Sequence, residues 1–236
     1  MGRKRSYYLV VAAVLSVVAV SGCARFTGLS DDRGPIPQTE TFKLGPFDLT
    51  AMGTAGATNT GTRLDIPRPA GAYGIRQMSF DLVDAQGESV SSEVAHLHHA
   101  LLFEAGLQDP VCPSWPRTIG GAGAERTRVD FFSDYAYLVD ASDKWNANWM
   151  IMNMMEEPTT VYIEYTIGYD TAMNASNTRP VTPYFLDVTG CGGGFTFDVP
   201  GNGGPGSVYT RTATFTAPTD GVAVFSGGHM HDGGID

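Results

Sequence analysis

Basic residues are scarce in this sequence. Its 236 residues include 15 Lys and Arg against 25 Asp and Glu, which gives a formal net charge of −10 at pH 7. A protein surface with this excess of negative charge repels the phosphate backbones of DNA and RNA. We therefore expect no nucleic-acid partner for this chain.

Several motifs that identify common enzyme classes are missing. The sequence contains no Gly-x-Ser-x-Gly elbow, no glycine-rich phosphate loop and no His-Glu-x-x-His pair. These absences argue against a serine hydrolase, a P-loop nucleotide hydrolase and a zinc metalloprotease of the usual types.

No hydrophobic run reaches the ~20 residues that a permanent transmembrane helix needs. The apolar run at residues 8–20 follows three basic residues at positions 3–5, a pattern typical of an export signal. Residues 20–23, Val-Ser-Gly-Cys, resemble a bacterial lipobox, so we expect a signal peptide over residues 1–22 and lipid on Cys23. An ordinary export signal cleaved elsewhere is the alternative, and both place the mature chain outside the cytoplasm.

Cysteine is rare, with three in the whole chain. If Cys23 carries lipid, Cys112 and Cys191 remain as an even pair in an oxidising compartment, and a disulfide between them is predicted. The alternative is a pair of thiolate metal ligands. It is weaker because neither cysteine has a cysteine or histidine close by in the sequence.

Sustained helical periodicity is also absent, and short segments of β-branched and aromatic residues recur between glycine, proline and asparagine. Residues 160–169 alternate cleanly between apolar and polar side chains, as a half-buried antiparallel strand does. We predict an all-β chain with the antiparallel strands of a jelly-roll or Greek-key sandwich. The further predicted strands are residues 74–83, 94–104, 185–188, 208–216 and 222–225.

The domain organisation follows from these segments. Residues 23–44 are polar and contain glycine and proline, which indicates a lipidated N-terminus and linker that ties the protein to a membrane of the bacterial cell envelope. Residues 45–178 are predicted to form the first sandwich. Residues 179–236 are too few to fold easily alone, so we expect them to begin a second β-sandwich that continues past Asp236. The alternative is that this part packs against the first sandwich.

All five histidines fall into two short clusters, residues 96–99 and 229–231. Alternation along a strand puts His96 and His98 on one face and His99 on the other, unless a bulge re-aims it. Imidazole suits copper, zinc, iron or nickel better than calcium or magnesium. The clusters predict a metal site, with a hydrogen-bonded histidine network or an unliganded surface patch as the alternatives.

The residues around these clusters resemble a known family. Residues 98–103, His-His-Ala-Leu-Leu-Phe, are similar to the paired-histidine strand of the copper type II, ascorbate-dependent monooxygenases, which include peptidylglycine α-hydroxylating monooxygenase and dopamine β-monooxygenase. Residues 229–231, His-Met-His, are similar to the His-x-His strand that opens the second copper site of that family. The resemblance runs from about residue 45 to the end of the sequence.

The resemblance implies two copper ions on two domains. His98 and His99 would bind the first ion, and His229 and His231 would bind the second. Met154 stands where the family has the third histidine of the first site, and His96 is a possible substitute. The methionine ligand of the second site would lie beyond the end of this chain. Thioether sulfur is a soft ligand suited to Cu(I).

The resemblance also implies a reaction, hydroxylation of an unactivated C–H bond of a small-molecule or peptide substrate by dioxygen, with ascorbate or another reductant. Two other functions stay open. One is a lipid-anchored copper-binding or copper-handling protein without turnover, favoured by the missing histidine and the added methionines. The other is a structural cell-surface sandwich whose histidines are ordinary residues, because a fold does not by itself imply a function.

Overall fold

The computed structural model describes residues 34–192, 197–200, 204 and 206–229. Within those ranges the regular structure is entirely β, with ten strands and no helix, and so no membrane-crossing helix occurs there. The strands are β1 Gln38–Leu49, β2 Thr58–Ile66, β3 Tyr73–Val83, β4 Ala95–Gln108, β5 Pro116–Ala122, β6 Val129–Asp130, β7 Tyr135–Val139, β8 Trp145–Asn153, β9 Thr159–Asp170 and β10 Arg179–Pro180. The predicted signal peptide, Cys23 and His231 lie outside the described residues.

The strands form two sheets, one of six strands and one of four. The six-stranded sheet has the order β1-β9-β3-β7-β10, with β6 pairing to β3, and the four-stranded sheet has the order β2-β8-β4-β5. Every pairing is antiparallel except that of β7 with β10. The prediction of an antiparallel, all-β sandwich is therefore confirmed.

Strand β9 shows how the sequence pattern produces this arrangement. Its side chains at Val161, Ile163, Tyr165 and Ile167 are at most 1% exposed. The residues between them project from the other face of the sheet and are half-buried. Because β9 pairs with β1 on one side and β3 on the other, it lies inside the six-stranded sheet. The alternation predicted for residues 160–169 is the alternation of this strand.

The core lies between the two sheets. The four-stranded sheet contributes Leu97, Trp145 and Ile151, and the six-stranded sheet contributes Leu82 and Ile163, all at most 2% exposed. Burying each large aliphatic side chain stabilises the fold by about 1.5–3 kcal/mol. The opposite face of the four-stranded sheet, here called the outer face, is consequently free to carry polar residues.

The predicted disulfide is confirmed. Cys112 and Cys191 are joined, with their Cα atoms 5.2 Å apart, within the range that a disulfide requires. A second contact supports the same connection, since the backbone N–H of Phe185 donates to Oδ2 of Asp109 at 2.8 Å. The segment after β10 is thus fastened to the loop after β4, and the disulfide fits a chain that matures in an oxidising compartment.

The strands predicted at residues 185–188, 208–216 and 222–225 are wrong, because the structure assigns no strand to any of these three segments. A strand needs a neighbour that satisfies its backbone groups, and an isolated pair of strands is at best marginally stable in water. These segments have the alternation of a strand, but among the described residues no neighbouring strand pairs with them. The predicted second sandwich, residues 179–236, has only the two-residue strand β10 within its described part.

Candidate metal centre

A β-bulge in β4 brings the paired histidines to the same face. Leu97 pairs with Ile151 and His99 pairs with Met150 on β8, so that His98 is the extra residue. The burial pattern changes phase at the same point, with Ala95 and Leu97 in the core before the bulge and Ala100 and Leu102 in the core after it. His96, His98 and His99 therefore all project from the outer face of the four-stranded sheet.

The two adjacent imidazoles face each other through the same ring atom. Nδ1 of His98 lies 3.1 Å from Nδ1 of His99. Two imidazole nitrogens that bind one ion at the usual metal–nitrogen distance of about 2.0–2.1 Å lie about 3 Å apart at a bond angle between tetrahedral and square. Without an ion, the same spacing suits an N–H···N hydrogen bond. The pair is already spaced as a two-nitrogen donor.

Asn148 fixes the tautomer of His99. The amide nitrogen of Asn148 donates to the carbonyl oxygen of Gly61 and to Oγ1 of Thr62, both at 3.0 Å, and this sets which way the amide points. Its Oδ1 therefore accepts from Nε2–H of His99, at 2.9 Å. Neutral His99 then carries its lone pair on Nδ1, the atom that faces His98, which is the role that orienting groups play behind metal ligands.

Burial makes the neutral form of His99 the favoured one. It lowers the pKa of His99 below its ordinary value of 6.5; the hydrogen bond to Asn148 opposes this shift, and the neighbouring His229 adds to it. A lowered histidine pKa means that the unfolded chain takes up the proton before the folded one does. The contribution of neutral His99 to the free energy of unfolding is therefore fully present above pH 6.5. It is lost as the pH falls through the folded-state pKa.

We expect the His99 ring of the metal-free protein to titrate below 6.5 in an NMR pH titration. We also expect the free energy of unfolding to fall as the pH is lowered below about 6.5. The His99→Gln variant keeps a polar side chain without a titrating ring and should lose part of this pH dependence. A His99 pKa at or above 6.5 would contradict the expectation.

His229, from the second histidine cluster, lies beside the first cluster. Its ring centre is 6.4 Å from that of His98, and the centres of His96 and His98 are 6.2 Å apart. Its Nδ1 lies 2.9 Å from Oε2 of Glu125. A carboxylate on one ring nitrogen holds a proton there and leaves the other nitrogen as the donor.

The ring of His229 rests on a glycine. Gly123 follows Ala122, which pairs with Ala100 of β4, so it lies next to His99 at the edge of the sheet. A Cβ atom at Gly123 would overlap the ring of His229, lying 2.6 Å from its Nδ1. The absence of a side chain at this position is what lets the ring of His229 approach the sheet.

Glu125 is held as an anion. Burial alone would raise its pKa, but hydrogen bonds from His229 and from the backbone N–H of Gly123 lower the pKa to about 2. The Gly123 N–H donates to Oε1 at 2.8 Å, and the Thr127 hydroxyl donates to the same oxygen at 3.0 Å. The carboxylate therefore stays ionised, and aimed at His229, through the physiological pH range.

The methionines in and just after β8 lie in two kinds of position. Met150 lies directly opposite His99, and Met152 lies directly opposite His96, both on the outer face and half-buried. Met154 lies beyond the end of β8, where its backbone N–H bonds to the carbonyl of Val94, and it is 40% exposed. Met150 occupies the position opposite His99, and Met154 is four residues further along the chain, outside the strand.

The structure thus brings together four of the predicted site residues, His96, His98, His99 and His229. In the part of the chain that is described, no three His, Cys, Asp or Glu side chains already have the arrangement of a metal site. The His98–His99 pair supplies two ring nitrogens 3.1 Å apart, and the ring of His229 lies beside it. The predicted ligand His231 lies outside the described residues.

Sequence reasoning missed three residues that support this cluster, namely Gly123, Glu125 and Asn148. None of them belongs to a recognisable motif, and their roles follow from strand pairing and from the path of the chain near His229. The likeness to the copper monooxygenases remains one of histidine motifs. Comparisons of this chain with protein-family models, with curated proteins and with solved structures found no match.

Proposed function

We propose that this chain is a copper-binding protein exported from the cytoplasm, with Nδ1 of His98 and Nδ1 of His99 as the primary donors. The observation that carries the proposal is the 3.1 Å separation of these two atoms, together with the Asn148 contact that leaves a lone pair on Nδ1 of His99. His229, oriented by Glu125, is the third donor. The lipid anchor at Cys23 remains part of the same proposal.

Copper fits this set of donors. Imidazole binds copper well, and divalent copper binds a given nitrogen site more tightly than the other common divalent first-row metals do. The protein groups each have a separate task in this arrangement. Asn148 and Glu125 fix ring tautomers, Gly123 leaves room for His229, and the bulge at His98 aligns the pair.

Copper titration of single-histidine variants tests the proposal. We expect one equivalent of Cu(II) to bind the wild-type chain, and we expect His98→Ala and His99→Ala each to weaken binding by about 100-fold or more. His229→Ala removes the third donor and leaves the primary pair in place, so we expect a smaller loss of about 10–100-fold, similar to that for an orienting group. Thr41→Ala, an exposed change on the other sheet, is the matched control.

The same titration separates one centre from the two implied by the family resemblance. In the two-copper arrangement, His98→Ala and His99→Ala would each leave a second copper bound by His229 and His231. Unchanged copper content in all three histidine variants would reject the proposal and favour a structural role for the histidines.

A copper-dependent monooxygenase is the second candidate. The partial exposure of His98 and His99 favours it, since a co-substrate can reach side chains that are not fully buried. Bound copper would supply one-electron transfer and dioxygen activation. The reaction inserts one oxygen atom into a C–H bond, while two electrons from ascorbate and two protons reduce the other atom to water. Ascorbate-driven oxygen uptake that requires both copper and an added peptide or small-molecule substrate would support it, and uptake independent of substrate would reject it.

A further inference from the structure

The two methionines at the centre of β8 do not fill the core. The core-facing residues of β8 include Trp145, Ala147 and Ile151, each at most 2% exposed, and the partly buried Trp149 also packs against the core. Met150 and Met152 alternate with these residues and so project from the outer face. The common reason for a methionine in a sandwich, filling gaps between the sheets, does not apply to this pair.

The pairing of β8 with β4 sets both thioethers beside imidazoles. Met152 lies directly opposite His96, and side chains directly opposite on antiparallel strands have Cβ atoms about 4.5–5.5 Å apart. Met150 is two residues along the same strand, about 6.6 Å away, on the same face. Methionine has three rotatable bonds, so both sulfur atoms can reach a point above His96.

We propose that Met150, Met152 and His96 form a second metal site, selective for Cu(I), next to the histidine pair. Two thioethers and one imidazole are a soft donor set that favours Cu(I) over Zn(II) and over Cu(II). The site is distinct from the proposed His98–His99 centre and shares no ligand with it. The ring centre of His96 is 6.2 Å from that of His98, so the two sites are neighbours.

Apolar packing is the competing explanation for the methionines. Leu101 also projects from the outer face, so Met150 and Met152 would then be part of an apolar surface. Leucine separates the two explanations because it keeps the size and apolar character of methionine and lacks the sulfur. Exchanges of this kind usually change stability by less than about 1.5 kcal/mol.

The test compares a double variant, Met150→Leu with Met152→Leu, with wild type and with Met154→Leu. Each protein is titrated with Cu(I) in competition with a chromophoric Cu(I) chelator, and separately with Cu(II) and Zn(II). We expect the double variant to lose about 100-fold or more in Cu(I) affinity at this site, with Cu(II) and Zn(II) binding unchanged. X-ray absorption of the Cu(I) form should show copper–sulfur scattering in wild type and none in the double variant.

The controls isolate the site. Met154→Leu should leave Cu(I) binding unchanged, since Met154 lies outside the strand, and His96→Ala should weaken it as the double variant does. The combined His98→Ala and His99→Ala variant should keep the Cu(I) site even if the neighbouring centre is lost, so the two proposals can fail separately. Unchanged Cu(I) affinity and sulfur scattering in the methionine double variant would overturn this inference.

Discussion

Removal of the Cys112–Cys191 disulfide is expected to lower the free energy of unfolding by about 4 kcal/mol. The bond closes a loop across 79 positions of sequence, and in the chain-entropy account a loop of this size restricts the unfolded chain by about that amount. About 4 kcal/mol is a large part of the ~5–15 kcal/mol that stabilises a typical domain. The loss should therefore show clearly in a denaturation curve.

Urea unfolding of the wild type, with and without reductant, and of the Cys112→Ala, Cys191→Ala double variant measures this effect. Reductant should lower the unfolding midpoint of the wild type and leave that of the double variant where it is. The double variant supplies its own control, since any effect of the reductant on the rest of the chain appears there. Equal midpoints for oxidised and reduced wild type would contradict the prediction.

Substitution of Gly123 by valine should displace His229 from the histidine cluster. A Cβ atom at this position would overlap the His229 ring, and the branched side chain of valine would occupy the space in which the ring lies. The φ angle of Gly123 is not in the left-handed region, so the backbone itself accepts valine and the effect is steric. Because His229 then loses Glu125 as well, copper binding should weaken by about 10–100-fold, as in His229→Ala.

Gly221→Val is the matched control for this change. Gly221 also lies in the segment that leads to His229, and an added Cβ there meets nothing within 4 Å. Copper affinity and the NMR shifts of the His229 ring should change in Gly123→Val and stay constant in Gly221→Val. An unchanged His229 environment in Gly123→Val would show that the ring does not rest on this glycine in solution.

Much of the fold was predictable because strand alternation is a local property. Residues 74–83 and 160–169 carry the period of two that a half-buried strand requires, and they are β3 and β9. The disulfide was predictable from cysteine number and compartment alone. The segments at 208–216 and 222–225 have a similar local composition but no strand partner among the described residues. Local composition does not determine whether a partner strand lies alongside.

The site was predictable in its histidines and not in its surroundings. Clustering in the sequence identifies His98 and His99. Strand alternation adds that the two can share a face only if the strand contains a bulge. Asn148 and Glu125 are 49 and 104 positions away from their histidine partners, so only the folded chain brings them near. No motif in the sequence links Asn148 or Glu125 to its histidine partner.

The bulge at His98 also bears on how such a site can be gained or lost. Excising His98 alone would restore an uninterrupted ladder in which Ala95, Leu97, Ala100 and Leu102 alternate regularly and stay in the interior. The extra residue therefore adds one imidazole to the outer face of the sheet and leaves the core-facing residues of β4 in the core. A single-codon insertion or deletion is enough to convert between a strand with one nitrogen donor at this point and a strand with two.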